Sequence, residues 1–250
     1  MKRLNRLTKI ALIGTSVAMA TPVFAALTHQ YQQLNQQGYD VFQVDQLQDL
    51  KLFLKDEQQR SLKSFSALSK TLKPCETLVF AMNAGMYHAD YSPVGLYIQQ
   101  GRQDQALNTA SGWGNFFMQP NGVLAWNTQQ AVIQTTADYQ KSGFHAQYAT
   151  QSGPMLITKG VVNPKFIQGS DSLKIRNGVG IKNNQLYFVI SRGKVSFYDF
   201  AQFFKQTLAV QDALYLDGSI SSVYSRALQR HDTRYRMGPM LGVVERQECK

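Results

Sequence analysis

The chain has 250 residues and a formal net charge of +10, with 44% hydrophobic and 17% charged residues. That balance excludes a disordered chain, and a domain of roughly 200 residues can bury one sizeable core with at most a small second unit beside it. Beyond the N-terminal segment no apolar run approaches the ~18 residues of a membrane span, which leaves a globular enzyme, a binding module or an envelope-associated scaffold.

Lys2, Arg3, Arg6 and Lys9 form a basic head, residues 10–20 an apolar stretch, and Val23-Phe24-Ala25 a cleavage pattern. This reads as a secretory signal peptide over residues 1–25, cut after Ala25, followed by one exported domain over 26–250, periplasmic or secreted. The alternative is an N-terminal anchor. The short apolar run and the polar stretch from Thr28 to Gln37 favour cleavage, so no stable membrane insertion is expected. Residues 1–25 carry four basic and no acidic side chains, leaving +6 on the mature chain. Without a Lys/Arg block, no nucleic-acid partner is expected. A diffuse positive field suits either anionic substrates or plain solubility. The two cysteines, Cys75 and Cys249, either pair in an oxidising compartment, tying the C-terminal tail to the segment before residue 77, or stay apart. They complete no zinc site, and no metal or cofactor is expected.

Apolar alternation predicts short strands over 39–44 and 50–54. Ser64 can cap a helix over 65–72, stopped by Pro74. Strands follow over 77–82, 94–100, 123–126, 131–135, 148–151 and 155–158. The clearest hairpin joins 174–182 to 185–191 through Asn183-Asn184, residues that tolerate the positive φ of a two-residue loop. Ser196 can cap a second helix over 197–208, whose Phe200, Phe203, Phe204 and Leu208 form a core stripe. Strands over 213–216 and 236–244 end the chain. Many strands and few helices, out of strict alternation, predict a single α+β domain with a mixed, largely antiparallel sheet core.

Four clusters of small and polar residues interrupt these strands: Asn83-Ala84-Gly85-Met86-Tyr87, Gln151-Ser152-Gly153-Pro154, Arg176-Asn177-Gly178-Val179-Gly180 and Leu216-Asp217-Gly218-Ser219-Ile220-Ser221-Ser222. Each alone reads as a tight turn. Together and in this order, from about residue 77 to 244, they resemble the phosphodiester glycosidase family, in particular its bacterial exported branch. The family's N-acetylglucosamine-1-phosphodiester alpha-N-acetylglucosaminidase (uncovering enzyme) removes that sugar from a phosphodiester. Ser219 and Ile220 depart from the glycines usual in the last cluster, a difference that bears on substrate choice.

What the resemblance implies suits the residue types. Glycoside hydrolysis ordinarily needs two carboxyl groups, one protonating a poor leaving group. A phosphate ester leaves as a stable anion, so one carboxylate and one cation suffice. Asp217 is then expected as nucleophile or general base, and Arg176 as the fork that binds phosphate or orients Asp217. A structural Asp217–Arg176 pair is the bland alternative. Asn83 and Ser152 are expected to hydrogen-bond substrate, with Asn177, Ser219 and Ser221 in the same set. Gly85, Gly153, Gly178 and Gly218 would let backbone approach the ligand, Tyr87 and Trp113 would stand at the pocket wall, and His88 is either a proton shuttle at the substrate or a histidine of a surface loop. The implied function is an exported hydrolase cleaving the glycosidic bond of a sugar-1-phosphodiester in an envelope glycan or related metabolite. A non-catalytic periplasmic protein of the same fold, binding glycan or phosphate, is the alternative. A pocket with an intact Asp217–Arg176 pair open to solvent would favour the former, and one plugged by Ile220 or a neighbouring loop the latter.

Overall fold

The computed structural model describes residues 26–217 and 220–247. The expected signal peptide, Gly218, Ser219 and Cys249 lie outside them. Three sheets, antiparallel throughout, build an α+β domain. The first runs in the order Leu27–Leu34, Gln37–Val44, Gln185–Ser191, Asn177–Lys182, Asp212–Asp217, Met155–Thr158, Val161–Val162. The second runs Arg230–His231, Val223–Ser225, Glu76–Asn83, Met240–Arg246, Leu50–Phe53, and the third Arg102–Gln105, Tyr97–Gln99, Tyr148–Ser152, Gly122–Trp126, Ala131–Thr135.

All three sheets turn a face to one shared core that includes Phe42, Phe80, Trp126, Phe188, Leu214 and Leu241. Along Gln185–Ser191, Leu186, Phe188 and Ile190 enter this core while Tyr187 and Val189 face a second cluster. Side chains alternate across a strand, so a strand buried on both faces reads as a continuous apolar run. The second cluster lies under the helix Phe197–Gln202, which Ser196 caps by accepting from the Asp199 N–H. That helix widens into a π-helical turn over Phe203–Leu208, bringing the consecutive Phe203 and Phe204 inward together. Each buried phenylalanine contributes about 2 kcal/mol. Trp126 donates from its indole to the Leu50 carbonyl at 3.0 Å, joining the third sheet to the second.

The hairpin loop Asn183-Asn184 takes φ of 51° and 63°, as its sequence requires. Other elements differ from expectation. The polar stretch from Thr28 is an edge strand, Leu27–Leu34, folded back through Asn35 and Gln36 at positive φ. An edge strand needs no apolar face, so periodicity does not reveal it. A third helix, Thr136–Ser142, is capped by Thr135 and closed by Gly143 in the left-handed region. The strand expected over 94–100 shrinks to Tyr97–Gln99 because the Leu96 N–H is taken by Gln151 Oε1. The last strand begins at Met240, past Pro239, which has no N–H to give a ladder.

Candidate active site

The four clusters meet where strands of all three sheets end. Asn83, last residue of Glu76–Asn83, and Asn177, first of Asn177–Lys182, are both wholly buried and face each other. Asn83 Nδ2 donates to Asn177 Oδ1 at 3.2 Å, and Asn177 Nδ2 donates to Asn83 Oδ1 at 3.1 Å. Each acceptor takes more. Asn83 Oδ1 receives the Ser222 N–H at 2.9 Å, and Asn177 Oδ1 the Asp217 N–H at 3.2 Å. Ser221 Oγ lies 2.7 Å from the Asp217 carbonyl, 3.0 Å from that of Ile175 and 3.2 Å from Asn177 Oδ1. The pair thus grips both sides of the segment from Asp217 to Ser222.

The second cluster joins through a bulge. Asn177 pairs with Asp217 but Gly178 pairs with Tyr215, so Leu216 is the extra residue. Its carbonyl accepts from Ser152 Oγ at 2.9 Å. Bulges of this kind re-aim the side chain that follows, here Asp217. Gln151, which sequence reasoning placed only as a motif start, is a hub. Its Oε1 accepts from Leu96 N and Asn108 N, and its Nε2 donates to Asn108 O and Thr136 Oγ1.

Several expected contacts to substrate are therefore internal instead. Asn83, Asn177 and Ser152 are each 0% exposed and spend their polar atoms on protein. The glycines likewise make room for the chain's own atoms. A Cβ on Gly178 would stand 2.8 Å from the Leu214 carbonyl, on Gly153 2.7 Å from that of Phe116, and on Gly85 2.8 Å from Thr150 Oγ1. Arg176 is the largest correction. It is 1% exposed, with Nε donating to Val195 O at 2.9 Å, Nη2 to Ser172 O at 2.8 Å and Nη1 to Tyr215 Oη at 3.2 Å. Its guanidinium stacks 3.7 Å over Phe197. Burial lowers its pKa, partly offset by Tyr215. Three of its five N–H groups are spent on protein, and its burial keeps the fork away from the surface where a phosphate would arrive.

Asp217 ends its strand half-buried, and its charge is felt at two tyrosines. Burial first and the Asp217 carboxylate second push the Tyr87 phenol up to about 12. The same two causes act on Tyr215, where Arg176 opposes them. Tyr87 donates to the Arg236 carbonyl at 2.6 Å and stacks on Tyr91. It feels the Asp217 charge, but its hydroxyl is committed to backbone and it is not part of the wall of the basic cleft described below. His88 is exposed in the adjoining turn, where its carbonyl accepts from Tyr91 N. Trp113 is 98% exposed.

Beside this segment opens a cleft of about 650 Å³, with Ser221 and Ser222 on its wall and four basic side chains, Lys174, Lys194, Arg230 and Arg234, around it. Arg230 is bound in a fork to Asp232, with Nε 3.0 Å from Oδ1 and Nη2 2.7 Å from Oδ2. These cations escaped sequence reasoning because no two are neighbours in the chain. A backbone bridge between Lys174 and Val195 brings two of them together, and the strand Arg230–His231 with the loop after it adds the others. Ile220 does not line the cleft but packs toward the cluster of Leu62, Phe65 and Leu68. Among the described residues no three His, Cys, Asp or Glu side chains gather to hold a metal.

A family model described as phosphodiester glycosidase matches residues 76–244, the span that holds all four clusters. The chain belongs to the phosphodiester glycosidase family. Among the chain's relatives is the uncharacterized protein YigE of Escherichia coli (strain K12), 44% identical over 164 residues. The match covers 65% of this chain and 64% of that relative, just under two thirds of its length. Among solved structures, the zebrafish N-acetylglucosamine-1-phosphodiester alpha-N-acetylglucosaminidase catalytic domain, auto-inhibited by its pro-peptide, aligns with a TM-score of 0.60. That alignment covers 88% of this chain and 82% of the other at 13% identity, a likeness of fold.

Proposed function

We propose that this member of the phosphodiester glycosidase family is an exported hydrolase that cleaves the glycosidic bond of a sugar-1-phosphodiester, with Asp217 as its carboxylate. The observation that carries this reading is the Asn83–Asn177 pair, which accepts from the backbone N–H groups of Asp217 and Ser222, with Ser221 and Ser222 on the wall of a basic cleft beside them. Asp217 acts on the sugar carbon as nucleophile or as base for water, stabilising the positive charge that develops there. The phosphate departs as an anion into the positive field of the cleft, so no second carboxyl group is needed to protonate it. Arg176 serves this site from behind, by holding Tyr215 and the carbonyls of Ser172 and Val195 in place.

Export fits the disulfide at Cys75, since such bonds persist in oxidising compartments. A binding protein of the same fold is the second reading. The cleft stands clear of Ile220, which removes the plug that would favour retention, while the burial of Arg176 leaves no Asp217–Arg176 pair open to solvent and keeps this second reading in play for the test below.

The test is release of free sugar from a panel of sugar-1-phosphodiesters by the purified protein. Asp217→Ala is expected to lower turnover by at least ~10³-fold, the scale of losing a catalytic group, with a melting temperature near that of the parent. Turnover retained in the variant would remove Asp217 from the mechanism, and no turnover by the parent on any compound would favour the binding protein.

A further inference from the structure

We propose that the cleft beside Ser221 and Ser222 is an extended subsite for further anionic groups of the substrate, so that this protein prefers a chain of repeated phosphodiesters joined by sugars or polyols over a single sugar phosphate. The identity of the scissile bond rests on the reading above; the ligand of the cleft follows from its own charge.

A phosphodiester carries one negative charge near neutral pH. Arg230 is compensated by Asp232 and has Asp40 at 3.7 Å as well. Lys174, Lys194 and Arg234 are exposed, and among the described residues none has a carboxylate within ion-pair distance. Elsewhere Arg60, Arg102 and Arg192 each meet an aspartate. The cleft therefore holds about three unspent positive charges where a single phosphodiester needs one.

Their placement matters as much as their number. Lys174 and Lys194 come from the strand-like bridge at the end of the first sheet, while Arg234 follows the short strand Arg230–His231 of the second. Positive charge thus comes from elements of two sheets that meet at the cleft, as a chain of anions laid along their junction requires. Tyr235, part of the same lining, has the Arg234 guanidinium 5.3 Å over its ring on one side, which leaves at most its other face to an intervening sugar. Single-stranded nucleic acid is also a chain of phosphodiesters, but its binders stack successive bases on several aromatic rings. Tyr235 is the one Phe, Trp or Tyr side chain among the residues lining the cleft.

The experiment uses the whole protein and fluorescence anisotropy with end-labelled glycerol phosphate oligomers of one and of six phosphodiesters, beside an oligothymidylate of matching charge. The six-unit oligomer is expected to bind roughly tenfold or more tightly than the one-unit compound at low ionic strength, a preference that shrinks in 0.5 M salt as screening sets in. Lys174→Gln, Lys194→Gln and Arg234→Gln should each cut the six-unit affinity roughly threefold to fivefold, as expected for exposed charge pairs, with circular dichroism unchanged. Equal affinity for both lengths, or a length preference untouched by all three substitutions, would overturn the proposal, as would oligothymidylate binding as tightly as the glycerol phosphate chain. Binding here needs no turnover. A length preference without hydrolysis of any sugar phosphodiester leaves the subsite standing and removes the glycosidase reading; hydrolysis without the preference does the reverse.

Discussion

A guanidinium whose three nitrogens donate to two carbonyls and a phenol, with its face on Phe197, has replaced its water shell by protein. Such a group is stabilising only while every partner is met. Arg176→Lys keeps the charge but loses the fork, leaving the Ser172, Val195 and Tyr215 oxygens to share one ammonium. Urea titration should show a loss of about 2–4 kcal/mol; an unchanged midpoint would mean the buried fork contributes little. Tyr87 gives a second measurement at this scale. Its pKa of about 12 owes most to burial and the next share to Asp217. In Asp217→Asn the phenol should therefore titrate at lower pH, yet still above the ordinary 10, because burial remains. Ring-labelled NMR would follow it, and an unmoved Tyr87 would show that the carboxylate does not face it. The residue types in the motifs were legible in the sequence as polar and small groups at strand ends. Which of them turn inward was not, since an asparagine looks the same whether it meets a ligand or another asparagine.

Two strand ends are clamped by the reciprocal amide pair of Asn83 and Asn177, and the clamp extends by backbone N–H groups to Asp217 and Ser222. Asn177→Ala removes one amide and leaves the other buried and short of partners. A loss of about 2–3 kcal/mol is expected from such unsatisfied groups. Sugar release should also fall at temperatures where the variant is still folded, because the Asp217 N–H loses its acceptor. Activity per folded molecule equal to the parent would show that the pair does not position Asp217. The hairpin at Asn183-Asn184 teaches the same lesson in a milder form. Positive φ was readable from two consecutive asparagines, but Asn184 also accepts from Ala131 N and donates to Gln129 O, each at 2.8 Å. That link between the first and third sheets had no local signal. The edge strand Leu27–Leu34 had none either, since its pairing is with backbone and its exposed face stays polar.

At the scale of the molecule, Asp40 ties the first sheet to the second. It is 2% exposed and receives Arg192 in a fork at 2.8 and 3.1 Å and His29 at 3.0 Å, with Arg230 at 3.7 Å. Burial alone would raise its pKa; the hydrogen bonds from Arg192 and His29, with their charges, outweigh it and hold the carboxyl below 3.8. A depressed folded pKa means that this carboxylate stabilises the fold above its unfolded value and that the contribution is lost as pH falls through the folded one. Stability measured by urea titration should therefore decline below pH about 4. Asp40→Asn should lack part of that decline and be less stable at neutral pH by about 2 kcal/mol. A variant with the parent's full acid limb would assign the decline to other groups.

Composition and hydrophobic pattern by themselves determined an α+β domain rich in antiparallel strands, its hairpin loop and two of its helix caps, because burial on a strand face and capping of a helix end are local demands that each residue type answers on its own. The four motifs and their order likewise pointed to the family. Only tertiary structure decided that Arg176 serves the core, that Asn83 and Asn177 serve each other, and that Lys174, Lys194 and Arg234 share one cleft with Ser221 and Ser222. Those facts depend on which strand ends the three sheets bring together, and charges drawn from separate loops act on one ligand only once the fold has closed the distance between them.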